Sequence, residues 1–394
     1  MKNVIGLIFC HLVLFISCDL KPLPEVEPKK TFEKEFPQPA GYSSLLLIDG
    51  VQLDNGDFVI IGNATKSGKG DLLALVVSEQ GEIKEQKFFD GLNDKVASIT
   101  KDDAGNLYIG GRDEDTKKGI IFKLSTKTGS LAQEWFKTYD VFTENVTIAQ
   151  VEFLTPNIYA IKGNLSGLGS TSASRTGYFS VKSADGSVAS TSNCTDNATS
   201  VYVVLDAIIA ENKIIFGGHG SNSSQISSLS PSTNCALISK NYNTTVDSKG
   251  GFNVFKGIVF SGGNLIGIAD KEIQSPYISK KTVFVKMNIN DLSKIQTDSV
   301  SVSYNSLNDY QVRSATASAD NASFVYAASY YFSDEKQTTD LVRVGNVVMQ
   351  PLWTRKYNIY TFKLINVRDG GYLLIGKLNS TTEKIIRVNP AGEL

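Results

Sequence analysis

Side chains that could support catalysis are few in this sequence. Only two of its 394 residues are histidines, His11 and His219, and no Gly-x-Ser-x-Gly turn occurs, which makes serine-hydrolase chemistry unsupported. Cysteine and histidine show no zinc spacing, and neither a calcium loop nor a dinucleotide fingerprint is present, so we predict no metal and no cofactor. The formal charge of -1 offers no basic excess for nucleic acid, which we exclude as a partner.

Carboxylates, tyrosines and arginines are the side chains that remain for chemistry. The chain has 40 acidic residues, and a glycoside hydrolase or lyase needs only a pair of carboxyl groups that the fold brings together. Convergence of Asp, Glu, Arg and Tyr on one site would favour such an enzyme, whereas a site lined by Ser, Ala and Val would exclude it. The sequence assigns no catalytic residue.

The first eighteen residues indicate export. Lys2 precedes an apolar run over residues 4–16, which is shorter than the ~20 residues that span a bilayer and is typical of a secretory signal. The run ends at residues 15–18, Phe-Ile-Ser-Cys, which resemble the lipobox of bacterial lipoproteins. The resemblance implies that residues 1–17 are removed and that Cys18 is lipidated. The alternative is an ordinary signal peptide in which Cys18 is incidental.

Residues 18–30 form a tether that is rich in proline and charge. Such a composition favours an extended and mobile chain, and therefore a flexible tether. We therefore expect a protein that is anchored to a membrane of the bacterial cell envelope through its N-terminal lipid. The outer membrane is the expected location, but Asp19 directly after the cysteine resembles a signal that retains some lipoproteins at the inner membrane, so the choice of membrane stays open. The residues do not indicate whether it faces the periplasm or the cell surface.

Two further cysteines, Cys194 and Cys235, lie beyond the tether. An oxidising compartment favours the pairing of two remaining thiols. A strand count, however, puts Cys194 near the end of one outer strand and Cys235 near the start of the next, toward opposite faces. This register argues against a disulfide, and both alternatives stay open.

A repeat of about fifty residues fills the rest of the chain. Each copy has a short turn followed by an apolar strand that ends in small residues, as at residues 55–62, 104–111 and 369–376. One apolar anchor per copy gives spacings of 49, 51, 56, 51, 59 and 48 residues, and therefore seven units. The anchors are Phe58, Leu107, Ile158, Ile214, Leu265, Phe324 and Tyr372.

A second motif lies later in the units and alternates with a period of two residues, as a strand does. Its clearest copies are Trp135, Lys137 and Tyr139, and the equivalent residues 353–357. With the strand that precedes each anchor and one between the two motifs, each unit has four short strands. Seven such units without helical periodicity predict an all-β fold, a seven-bladed β-propeller of four-stranded blades over residues 31–394.

A propeller must also close its ring. The seventh unit lacks its outermost strand, because only two residues follow Gly392. Phe32, Lys34 and Phe36, which precede the first unit, repeat the aromatic, basic and aromatic spacing of the second motif. We predict that residues 31–37 pair with the last blade and close the ring. The alternative is that they extend the tether.

The motifs at residues 369–376 and 135–139 resemble the blades of lipid-anchored bacterial β-propeller lipoproteins, over roughly residues 31–394. The blades lack the Trp-Asp dipeptide of WD40 repeats and the kelch signature. The resemblance implies a fold and a role in binding or assembly, and it implies no particular chemistry.

Recognition by a propeller uses loops that share one face. We name the face formed by the loops between the second and third strands of the blades the candidate rim. Its distinctive members include an aromatic trio in the sixth blade, of the kind that stacks on sugars or peptides. The candidate residues are Arg112, Asp113, His219, Tyr330, Tyr331 and Phe332. The alternatives are an ordinary solvated loop and a strand that continues further.

These patterns together predict an envelope lipoprotein that acts as a non-enzymatic binding or assembly scaffold through the candidate rim. Its partner would be another envelope protein or a glycan. The alternative function is that of an envelope glycoside hydrolase or lyase, with acidic and Tyr side chains in the central depression of the ring.

Overall fold

The structure, a computed structural model, describes residues 30–89, 93–126, 130–141, 147–162, 178–190, 203–219, 224–230, 236–242, 254–274, 278–302, 308–331 and 337–394. Every helix or strand assigned within these ranges is a β-strand. This part of the chain has no helix with the length and apolar character needed to cross a membrane.

The strands of the first half of the chain are β1 (Phe32–Pro37), β2 (Ser44–Gln52), β3 (Phe58–Lys66), β4 (Lys69–Val77), β5 (Ile83–Phe89), β6 (Asp94–Lys101), β7 (Leu107–Asp113), β8 (Gly119–Ser125), β9 (Ala132–Tyr139), β10 (Ile148–Leu154), β11 (Asn157–Lys162), β12 (Tyr178–Lys182), β13 (Val188–Ser190) and β14 (Val203–Ala210). Those of the second half are β15 (Lys213–His219), β16 (Ser224–Ser230), β17 (Ala236–Tyr242), β18 (Val254–Ser261), β19 (Asn264–Gln274), β20 (Ile278–Met287), β21 (Lys294–Val302), β22 (Asn308–Ala317), β23 (Ser323–Tyr331), β24 (Gln337–Gly345), β25 (Pro351–Tyr357), β26 (Tyr360–Asn366), β27 (Tyr372–Lys377) and β28 (Thr382–Val388).

These strands form seven antiparallel sheets of four strands each. Blades one to six take consecutive strands, beginning with β2 to β5 and ending with β22 to β25. The predicted seven-bladed propeller is therefore confirmed. All seven anchor residues lie at the first or second position of the second strand of their blade, and all are buried.

The ring closes as the sequence predicts. Blade seven contains β26, β27 and β28, and β1 is its outermost strand. Strand β1 pairs antiparallel with β28, with Phe32 opposite Arg387 and Pro37 opposite Thr382. Phe36 is buried and packs with residues of blades seven and one. The N-terminal segment therefore joins the two ends of the repeat.

Among the described residues, the hydrophobic core forms seven clusters, one between each pair of neighbouring blades. Along β3, Val59 and Ile61 pack toward blade two, whereas Phe58 and Ile60 pack toward blade seven. Successive side chains of a strand point to opposite faces of its sheet, so a blade buried on both faces needs apolar residues at consecutive positions. This explains the continuous apolar runs at the anchors.

The second motif fastens outer strands to the next blade, as the contacts of blades two and seven show. The Trp135 ring covers Gly186 in blade three, where an added Cβ would lie 2.9 Å from the ring, and Tyr139 donates a hydrogen bond to the Gly186 carbonyl at 2.9 Å. Gly186 also has a φ of +67°, a conformation that favours glycine. In β1, Phe32 covers Gly81 of blade one in the same way. The spacing of the motif is therefore explained by contacts between blades.

The antiparallel order gives the propeller two distinct ends. At one end lie the turns between the first and second strands and between the third and fourth strands of each blade. Lys30 and the start of β1 are at this end, which we name the tether end, and Lys30 lies 3.5 Å from Glu79 there. The candidate rim is at the opposite end.

Candidate functional site

A β-bulge interrupts the innermost strand of every blade. In each case one residue is skipped in the pairing with the second strand. A bulge changes the direction of the side chain that follows it. The skipped residues are Ile48, Ala97, Ala149, Leu205, Lys256, Arg313 and Phe362. The ring axis is therefore surrounded by seven equivalent irregularities.

The residue after the bulge is polar in most blades, and three such side chains bind the backbone of the next blade. Asp49 accepts a hydrogen bond from the Ile99 N–H at 3.3 Å. Ser98 accepts one from the Val151 N–H at 2.9 Å. Asp206 accepts one from the Ile258 N–H, also at 2.9 Å. These contacts join blades one to two, two to three and four to five beside the axis.

In blade seven the residue after the bulge is Lys363, whose Nζ lies 3.8 Å from Asp49 Oδ1 and 3.9 Å from Asp206 Oδ1. Glu152 of β10 adds a third carboxyl that interacts with the same ammonium group. We name Asp49, Glu152, Asp206 and Lys363 the axial cluster. Four of the seven blades contribute to it, and the axis is therefore charged in the described part of the chain.

Burial and mutual repulsion shift the titration of this cluster. Burial raises the pKa of Glu152 to about 8, and the charges of Asp206 and Asp49 add to that effect against the opposing attraction of Lys363. Burial also raises the pKa of Asp206 to about 6 and raises the pKa of Asp49. Burial disfavours the charged form of Lys363, but the carboxylates outweigh it and raise its pKa. Glu152 thus holds a proton at neutral pH.

The cluster combines a protonated carboxyl with neighbouring carboxylates and an ammonium group. This combination can donate a proton to a bound ligand and stabilise positive charge. Two of the carboxylates are engaged by backbone N–H groups, since Asp49 and Asp206 each accept two such bonds. Within the described ranges, no group of three His, Cys, Asp or Glu residues could hold a metal ion.

An aromatic cluster with two cations lies where the axis meets the candidate rim. Tyr360 stacks on Tyr331 with ring centroids 5.0 Å apart and meets the edge of Phe362 at 5.8 Å. The Arg313 guanidinium lies 4.5 Å from the centre of the Tyr360 ring, and Lys377 Nζ lies 5.5 Å from it. We name these five residues the rim aromatic cluster. Arg313 and Phe362 are two of the bulge residues, so this cluster adjoins the axial cluster.

The predicted aromatic trio divides between two environments. Tyr330 is fully buried, packs between blades five and six, and donates a hydrogen bond to Asp340 Oδ1 at 3.0 Å. Tyr331, the last residue of β23, belongs to the rim aromatic cluster and is partly exposed. Phe332 lies outside the described residues.

The predicted charged residues of blade two form a locally bonded loop on the same end. Arg112 Nη2 lies 3.1 Å from Glu114 Oε2, and Asp113 accepts hydrogen bonds from the backbone N–H groups of Asp115 and Thr116. Burial opposes ionisation of Asp113, but these bonds outweigh it and lower its pKa. Arg112 and Tyr331 are on blades two and six, which are not neighbours.

Beside this loop, Asp94 is a buried carboxyl without a hydrogen-bond partner for either oxygen among the described residues. It lies opposite Asp113 in the register of β6 and β7. Burial, followed by the charges of Asp113 and its acidic neighbours, raises the pKa of Asp94 to about 7.

The remaining predicted site residues are only partly described. His219 is the last residue of β15, and its backbone pairs with Val203 and Ser224. The structure describes only the backbone of this residue. Cys18, Cys194 and Cys235 lie outside the described residues, so the lipidation and disulfide predictions stay predictions.

A cavity of about 660 Å³ opens at the tether end between blades one and two. Its charged lining groups are already paired: Lys84 Nζ contacts Asp57 at 2.7 Å, Lys101 Nζ contacts Asp54 at 2.6 Å, and Glu85 accepts a hydrogen bond from the Leu131 N–H at 2.8 Å. It offers no converging set of side chains comparable with those of the axis.

No protein-family model matches the sequence, and no curated protein matches it. Among solved structures, the chain is similar to one described as "Structure of Dos1 propeller", with 10% sequence identity and a TM-score of 0.48, over 92% of this chain and 96% of that chain. At this identity the similarity concerns the fold alone. The protein is a seven-bladed β-propeller.

Proposed function

We propose that this protein is a lipid-anchored lipoprotein of the bacterial cell envelope that acts as a non-enzymatic binding or assembly scaffold. The candidate rim presents the binding surface, and its partner is another envelope protein or a glycan. The observation that supports this proposal is the rim aromatic cluster, which lies at the end of the ring opposite Lys30.

The composition of the rim aromatic cluster suits recognition. Aromatic rings stack on sugar rings and on apolar side chains, and they lose little conformational entropy when they do so. Arg313 and Lys377 beside the rings add donors for carboxylate or hydroxyl oxygens. The surface therefore fits a ligand with both an apolar face and acceptor groups, as glycans and peptides have.

The anchor determines how this surface is presented. Diacylation of Cys18 would attach the chain to the outer membrane through residues 19–30, and the described chain begins with Lys30 at the tether end. The candidate rim would then point away from the lipid, toward other components of the envelope. Mass spectrometry of the N-terminal peptide tests the anchor: diacylglycerol on Cys18 supports it, and an unmodified peptide that begins after another cleavage site contradicts it.

The binding role is tested by cross-linking and affinity purification of the tagged full chain from native membranes. A double variant, Tyr331→Ala with Lys377→Ala, removes one ring and one cation from the rim aromatic cluster. Glu35→Ala, an exposed position on β1, serves as the matched control. We expect a protein or glycan partner to be recovered with the native chain and the control and to be lost with the double variant. Equal recovery from all three would contradict the proposal.

A second candidate function is that of an envelope glycoside hydrolase or lyase, and the axial cluster is the observation that favours it. The described axis carries three carboxyl groups rather than only Ser, Ala and Val, and Glu152 has the raised pKa of about 8 that suits a general acid. Glu152→Gln tests it on envelope polysaccharides. If the native protein releases reducing ends and the variant does not, the protein is an enzyme. If neither protein changes the polysaccharide, the enzyme hypothesis is rejected and the scaffold role is favoured.

A further inference from the structure

Exposed aliphatic side chains are concentrated on blade six at the tether end. Val347 is 79% exposed and Val348 65% exposed, and both lie in the turn between β24 and β25. Leu352, at the second position of β25, is 62% exposed. We name these three residues the aliphatic patch. Large aliphatic side chains left in water at neighbouring positions typically mark a contact surface.

Most of the other exposed aliphatic residues also lie at the tether end. Of the nine large hydrophobic side chains that are exposed in the described part of the chain, eight lie at the tether end, and only Leu46 does not. The eight are in the third-to-fourth-strand turn of blade six, within the first three residues of an outermost strand, or after β28. They are Ile83, Val188, Ile238, Ile295, Val347, Val348, Leu352 and Leu394.

The chain reaches this end from the proposed anchor. Phe32 covers Gly81, and Lys30 lies 3.5 Å from Glu79, so the described chain begins at the tether end. Residues 19–30 can span at most about 40 Å when fully extended. A lipid on Cys18 therefore keeps the tether end of the propeller within about 40 Å of the bilayer surface.

We propose that the aliphatic patch inserts into the lipid interface and orients the propeller on the membrane, with the candidate rim facing away from it. The inference rests on lipid attachment at Cys18, which is part of the proposed function. Aliphatic side chains that enter the boundary between headgroups and acyl chains strengthen a lipid anchor, because each buried group adds to the affinity of the anchor. The tether alone sets only a distance, whereas a contact at blade six also sets an orientation.

Fluorescence of the lipidated full chain in vesicles tests this contact. The vesicles contain phosphatidylethanolamine and phosphatidylglycerol, with part of the lipid brominated near the glycerol end of the acyl chains. Val348→Trp places a reporter in the aliphatic patch, and Lys69→Trp places one at an exposed position of the candidate rim. The native protein, which contains Trp135 and Trp353, supplies the background.

We expect brominated lipid to quench the emission added by Val348→Trp about twofold or more, since an interfacial side chain lies within reach of the bromines. The emission added by Lys69→Trp should not change. Equal, negligible quenching of both variants on vesicles that carry the protein would overturn the inference and leave the anchor intact. A blue-shifted but unquenched Trp at position 348 would also overturn it, because it would indicate a protein partner or a second copy on the patch. Protein that lacks diacylglycerol and does not float with vesicles would overturn the anchor and the contact together.

Discussion

Replacing Asp94 by Asn should stabilise the protein, and the gain should grow as the pH rises. Asp94 begins β6 and is 1% exposed, and neither of its carboxylate oxygens has a hydrogen-bond partner among the described residues. Burial raises its pKa to about 7, with the charges of Asp113, Asp115, Asp71 and Glu114 adding to the effect. An uncharged amide of the same shape removes both the desolvation cost and the repulsion.

The sign and size of the effect follow from the two pKa values. An Asp in the unfolded chain titrates near 3.9, so between about pH 4 and pH 7 the folded protein binds a proton that the unfolded chain has released, and native stability falls as the pH rises. The difference between the two values corresponds to about 4 kcal/mol at pH 8 and about 1.5 kcal/mol at pH 5. Asp94→Asn should therefore gain about 2.5 kcal/mol more at pH 8 than at pH 5.

Urea unfolding of the full chain at pH 5 and pH 8 measures this difference. Asp57→Asn is the control, because Asp57 is also buried but Lys84 Nζ contacts its two oxygens at 2.8 and 2.7 Å. The control should lose stability at both pH values, since it removes a charge-assisted pair. An Asp94→Asn variant that is less stable than the native protein, or whose effect does not change with pH, would refute the reasoning.

Three other substitutions test the ring and its axis, each by urea unfolding. Phe36→Ala leaves a cavity between blades seven and one and should cost about 3–5 kcal/mol, whereas the exposed neighbour Glu35→Ala should stay within about 0.5 kcal/mol of the native protein. Lys363→Met leaves the axial carboxylates without their cation and should cost about 3 kcal/mol, an effect that shrinks as the pH is lowered and the carboxylates protonate; a cost that grows in acid would contradict the account. Ser98→Ala leaves the buried Val151 N–H without its acceptor and should cost about 1–2 kcal/mol.

The fold was predictable because the same sequence pattern occurs in seven units, and each unit forms the same four-stranded sheet. Anchors such as Phe58 and Tyr372 recur at nearly constant spacing, and all seven are buried at the start of a second strand. The closure was also predictable, because Phe32 and Phe36 have the spacing of the outer-strand motif and make its contacts, such as that of Phe32 with Gly81. Local spacing is informative where the same contact is repeated between several pairs of blades.

The axial cluster could not be assigned from sequence, and the reason is the bulge. Side chains of a regular strand alternate between the two faces of its sheet, and an extra residue in each innermost strand interrupts this alternation. The side chain after Ile48 therefore does not point in the direction that regular alternation predicts. A signal was nevertheless present in the first four blades, where an apolar pair precedes the polar residues Asp49, Ser98, Gln150 and Asp206. The proximity of Lys363 to Asp206 joins blades seven and four, and no short-range pattern contains it.

The rim aromatic cluster, like the axial cluster, could not be predicted from a local sequence pattern. Tyr330 and Tyr331 are adjacent in sequence, but consecutive residues of β23 point to opposite faces of the sheet, and only Tyr331 reaches the rim aromatic cluster. Its partner Tyr360 begins β26 of the next blade, so a composition scan of one loop could not find the cluster.

The central claim is that the two ends of the propeller have different partners, lipid at the tether end and an envelope protein or glycan at the candidate rim. Site-specific photo-cross-linking in native membranes tests it most directly, with a benzoylphenylalanine placed at position 331 in one variant and at position 348 in another. The account predicts a discrete protein or glycan adduct from position 331 and lipid adducts from position 348. The same adduct from both positions, or lipid adducts from position 331, would contradict it.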